Sequence, residues 1–127
     1  MSDVERLLGW FDAGDLVRPD AASPNLLDLS RAMAHLCGVE NMALSPAARH
    51  IADVVAPADH YVLVLLDGFG MHLADRLPAD DVLRTHLAME LRTVFPSSTA
   101  PALTTLATGL WPAEHAVPGW WTYLPDA

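Results

Sequence analysis

Tyr61-Val62-Leu63-Val64-Leu65-Leu66 constrains the fold of this chain more than any other stretch. Six apolar residues follow one another with no polar alternation, so neither face of an extended segment built from them suits water. Such a run predicts a strand covered on both faces, as in a parallel sheet flanked by helices. Asp67-Gly68 ends it abruptly. The run is also far short of the ~20 residues that a bilayer-spanning helix needs.

The rest of the chain is read around that strand. Ser2-Asp3-Val4-Glu5 is a capping box, and Val4, Leu7, Leu8 and Phe11 form one helical stripe that Gly14 ends. Ser23-Pro24 predicts the start of a second helix, with Leu26, Leu29, Met33 and Leu36 inward and Gly38 as its stop. Ser45-Pro46 predicts a third, with Ala48, Ile51, Ala52 and Val55 inward. After the run, Met71 to Leu77 and Asp81 to Leu91 read as short helices, and Arg92 to Phe95 as a second strand. Thr99 caps a helix through Thr108, closed by Gly109. The tail from Pro118 to Tyr123 is turn-like, then strand-like. The order strand, helices, strand, helix predicts a right-handed crossover unit of an α/β fold.

Composition narrows the function. Of the 127 residues, 52% are apolar, enough for a real core. A net charge of −9 leaves no basic patch for a nucleic-acid backbone or an anionic membrane surface. The single cysteine, Cys37, forms no internal disulfide, and no signal peptide opens the chain, so a cytoplasmic location is expected.

In open α/β sheets ligands bind beyond the carboxyl ends of strands. Asp67 follows the first expected strand, and Thr99 follows the second at a helix N-terminus. A carboxylate there suits a hard cation, and a hydroxyl beside free helix amides suits a phosphate. Each has a plainer reading: Asp-Gly as turn chemistry, and Thr99 as an ordinary N-cap. His35 and His50 have no second ligand at metal spacing and read as surface or core residues.

Two longer strings contain these residues. Val64-Leu65-Leu66-Asp67-Gly68-Phe69-Gly70 is one; the other runs from Phe95-Pro96-Ser97-Ser98-Thr99 through Thr108-Gly109-Leu110-Trp111-Pro112-Ala113-Glu114-His115 to Gly119. Together they resemble the alkaline phosphatase superfamily, in its type I phosphodiesterase/nucleotide pyrophosphatase branch. The resemblance covers about residues 61 to 123. It implies the N-terminal portion of an α/β/α sandwich over residues 58–127, preceded by a helical lead-in over 1–57. It implies Thr99 as the catalytic nucleophile, Asp67 and Thr99 as ligands of one metal, and two divalent ions in all, zinc or manganese. A bound Zn²⁺ would stabilise the Thr99 alkoxide, and the second ion the leaving oxygen. The Ala100 backbone amide and Trp120 are the implied substrate contacts, and the substrate a small-molecule phosphoester.

The sequence also departs from the family. Ala116 follows His115 where the family has Gly, and Trp120 stands where an Asn commonly contacts the phosphoryl group. His115 is expected to fix its loop by hydrogen bonds rather than to bind metal. The family's other metal ligands, an Asp-x-x-x-His element, an Asp-His pair and a late His, have no counterpart; His60, His72 and His86 lie too early. The 127 residues alone are therefore expected to show little or no activity. A phosphomonoesterase or phosphomutase of the same superfamily remains an alternative, as does a non-catalytic remnant or interaction module. A sulfatase is disfavoured, because Thr99 cannot become formylglycine and Leu103 stands where that family has Arg. Oligomeric state is not legible.

Overall fold

The structure, a computed structural model, describes residues 2–16 and 23–121. Its regular elements are helices: α1 (Asp3–Ala13), α2 (Leu26–Leu36), α3 (Pro46–Val55), α4 (Met71–Ala74), α5 (Val82–Thr85), α6 (Thr99–Thr108) and α7 (Pro112–His115).

Local chemistry sets most helix ends. The capping box at Ser2 and Glu5 forms in both directions, and Gly14 ends α1 in the left-handed region. Ser45 caps α3 by accepting the Ala48 amide, with Pro46 in the first turn. α2 begins two residues later than Ser23 suggests, because Asn25 is the cap: its side chain accepts the Leu27 and Asp28 amides. At the other end of α2, Gly38 at φ +86° donates to the His35 carbonyl, and Val39 donates to that of Ala34. Those two bonds make a Schellman stop, which requires the left-handed φ that glycine adopts freely.

The core lies between α2 and α3. Ala32, Ala48, Ile51 and Ala52 are buried together, with Leu29, Leu36, Leu44, Met89 and Leu91 packed around them. The small alanines let the two helices approach closely. The inward stripe expected on α3 is the observed one, except that Val55 is exposed. On α2 the buried face is rotated toward Leu27, Asp28 and Ala32. A polar link ties the two helices: the Ser45 hydroxyl donates to Asp28, whose other oxygen accepts the Asn25 amide. α2 also packs on α6, and α6 on α7.

The expected α/β sandwich is corrected by this structure. Among the described residues there is no strand and no sheet; the only ladder contact is one isolated parallel bridge between Asn25 and Arg92. Tyr61–Leu66 has no regular structure, and Val62 to Leu66 are all exposed, Val62 at 86%. Arg92–Phe95 forms no strand pairing beyond that bridge, and Val94 is buried. The physical reason is that a helix satisfies its own backbone, whereas a strand is completed only by a neighbour. Asp81 to Leu91 also yields just the single turn of α5, and Met89 and Leu91 reach the core from irregular chain. Thr122 and Tyr123, the strand-like end of the tail, lie outside the described residues. No helix among the described residues is long and apolar enough to cross a membrane.

Candidate functional site

The run at Tyr61–Leu66 delivers Asp67 into a tight turn. Phe69 donates its amide to the Leu66 carbonyl at 3.2 Å, and Gly68, the third residue of the turn, sits at φ +72°. A type II turn needs glycine there. Turn chemistry therefore accounts for Gly68 and leaves the Asp67 carboxylate exposed beyond the turn.

Thr99 approaches from the other side. The Phe95–Pro96 peptide bond is cis, and Ser98 rather than Thr99 takes the N-cap position of α6. No side chain caps this helix, so the Thr99 hydroxyl is not consumed as an ordinary cap. It donates instead to Asp67, at 3.2 Å to Oδ2 and 3.4 Å to Oδ1. Residues 32 positions apart in sequence thus share one polar contact. The first amides of a helix have no acceptor within it, and Pro101 has no N–H to offer. The amides of Thr99 and Ala100 are the ones that α6 presents at this end.

The oxygen spacing bears on metal binding. Two oxygens held by one divalent ion at about 2.0–2.2 Å stand about 3.0–3.5 Å apart. The Thr99–Asp67 distances fall in that range, so this pair fits two positions around a single ion. No group of three or more His, Cys, Asp or Glu side chains gathers among the described residues, so nothing there completes the first ion or holds a second. His86 is engaged locally, its Nδ1 against the Val82 carbonyl and the Thr85 hydroxyl.

His115 fixes its loop as expected. Its Nδ1 accepts the Val117 amide at 3.1 Å, which puts the ring proton on Nε2, 3.2 Å from Thr105 Oγ1. Thr105 is fully buried on α6 beside the buried Pro101 one turn earlier, the one signal in the sequence that marks it. The next residue, Ala116, stands at φ +58°, ψ +28°. That left-handed conformation explains why glycine suits this position; alanine adopts it against a steric cost of about 1 kcal/mol. Trp120 and Trp121 are exposed, at 69% and 96%, so neither is a core residue.

A model of the type I phosphodiesterase/nucleotide pyrophosphatase family matches residues 61–126. The chain belongs to this family. The match begins at the apolar run and takes in the Asp67 turn, α6 and α7. No curated protein and no solved structure matches the chain. Type I phosphodiesterases are in general metal-dependent, and one carboxylate and one hydroxyl converging at 3.2 Å are donors of a kind that such chemistry uses.

Proposed function

We propose that the protein hydrolyses phosphate diesters or pyrophosphates, with Thr99 as the nucleophile. The observation that carries this reading is the Thr99–Asp67 contact at 3.2 Å, made across 32 residues of sequence at the open end of α6. The hydrogen bond holds the Thr99 proton toward Asp67. Attack forms the Oγ1–P bond as the bond from phosphorus to the leaving oxygen breaks. The hydroxyl proton passes to solvent. Water then cleaves the phosphothreonine and restores the hydroxyl. The Thr99 and Ala100 amides, at the positive end of α6, stabilise a non-bridging phosphoryl oxygen.

Asp67 and Thr99 would hold one of two divalent ions, zinc or manganese, and such an ion supplies the charge that lets an alcohol ionise near neutral pH. On this reading Trp120, exposed on the segment after α7, is a substrate contact. The substrate is a small molecule rather than a nucleic-acid backbone, in keeping with the net charge of −9, and the setting is cytoplasmic.

The test is hydrolysis of bis-(p-nitrophenyl) phosphate by the protein expressed from the intact gene, with Mn²⁺ or Zn²⁺ supplied. Thr99→Ala is expected to lower kcat by at least about 1,000-fold. Wild-type turnover in that variant would overturn the assignment. Product analysis on paired mono- and diesters separates a diesterase from a phosphomonoesterase.

A further inference from the structure

The helix that carries Thr99 is gripped from outside the matched region. The Ser30 hydroxyl donates to the Leu106 carbonyl at 2.8 Å, and Arg31 Nε donates to the Gly109 carbonyl at 3.1 Å. Both donors lie on α2, and both acceptors are carbonyls at the end of α6 that a helix leaves unsatisfied. Ser30 and Arg31 are consecutive, so a rotation of α6 about its axis, or a slide along it, strains both bonds together.

The N-terminal end of α2 grips the same unit from the other side. Leu26 donates to the Arg92 carbonyl and Arg92 to that of Pro24, each at 2.9 Å. This bridge lies seven residues before Thr99, on the segment that leads into α6. α2 therefore holds the unit 92–109 at its start and at its end. Leu63, four residues before Asp67, borders the groove between α2 and α6 that Arg31, Leu106 and Gly109 also line. The Thr99 arm of the site thus leads back to α2, while the Thr99–Asp67 contact itself is exposed.

We infer that Ser30 and Arg31 are positioning residues: by tying down the C-terminal end of α6 they set the rotation and advance of the helix that brings the Thr99 hydroxyl to Asp67. On this view the lead-in is a working part of the hydrolase, and the inference rests on the Thr99 reading for its functional meaning. Neither residue touches the reacting atoms. A rigid helix transmits the setting. It is 10 residues long, so it spans about 15 Å, and a tilt of 10° at the held end moves Thr99 by about 2.5 Å. That is enough to break a contact of 3.2 Å.

The test reads the 67–99 contact directly, without turnover. In a Cys37→Ser background, which removes the only other thiol, Thr99→Cys is alkylated with iodoacetamide at pH 8. A carboxylate beside the thiol disfavours the thiolate, so adding Asp67→Asn is expected to speed alkylation about threefold or more. With Ser30→Ala and Arg31→Ala together, this Asp67 effect is expected to fall to near one. Each single change should reduce it in part, and Arg31→Lys, which keeps a donor for the Gly109 carbonyl, should retain most of it. A merely structural role would lower the melting temperature and leave the Asp67 effect intact; that result in the folded single variants overturns the inference while the Thr99 reading stands. An Asp67 effect near one in the otherwise unaltered chain overturns the contact itself, and with it the inference. Turnover surviving in Thr99→Ala overturns the functional reading separately.

Discussion

Residues 23–55 and residues 61–95 differ sharply in how far they complete themselves. In the first region two capped helices bury Leu27, Ala32, Ala48, Ile51 and Ala52, and the polar groups between them close through Asn25, Asp28 and Ser45. In the second, a more apolar stretch of chain leaves Val62, Leu63, Val64, Leu65 and Leu66 exposed, and Val94 is its one buried hydrophobic residue. Hydrophobicity is thus not what separates them. The helical region satisfies its backbone locally and then needs only one neighbour to cover one stripe. An extended run needs partners along both edges and covers on both faces before its apolar side chains leave water.

The sharpest break of that comparison is a matched pair of truncations. Ile51→Ala, at a site 3% exposed, is expected to cost about 2–4 kcal/mol in urea unfolding, whereas Val64→Ala, at 73% exposure, should cost under about 0.5 kcal/mol. Equal losses at both sites would mean that the run is packed after all.

Removing the polar link comes next in size. Asp28→Ala leaves the buried Asn25 amide and the Ser45 hydroxyl without their acceptor, and a loss of about 1–3 kcal/mol in the same assay is expected. An unchanged midpoint would show that the α2–α3 pair is held by apolar contact alone.

The smallest effect concerns a loop rather than either region. Ala116→Gly relieves the left-handed strain after α7 and is expected to raise stability by up to about 1 kcal/mol, read as a higher melting temperature. A lower melting temperature would show that Ala116 does not hold that conformation in solution.

Much of the molecule was legible from residue order. The Ser2–Glu5 box, the Ser45-Pro46 start and the Gly14 and Gly109 stops are signals carried within a turn or two of chain, and the structure has each of them at those residues, whereas the cap of α6 is Ser98 rather than Thr99. The family was legible too, because its strings run through Asp67, Thr99 and His115. Asn25 rather than Ser23 is the cap of α2 because its side chain accepts the Leu27 and Asp28 amides while the Asp28 carboxylate accepts the Asn25 amide in return. The strand reading failed because the residues that would pair with Tyr61–Leu66 cannot be inferred from that run itself.

Sequence by itself determined that the longer helices form, with the start of α3 and the stops of α1 and α6, since these depend on side chains and glycines acting on backbone a few residues away. Tertiary structure alone decided that Thr99 meets Asp67 at 3.2 Å, that α2 holds the far end of α6, and that the apolar run lies exposed. Those outcomes turn on which distant groups become neighbours, and the free energy of a contact exists only once both partners are in place.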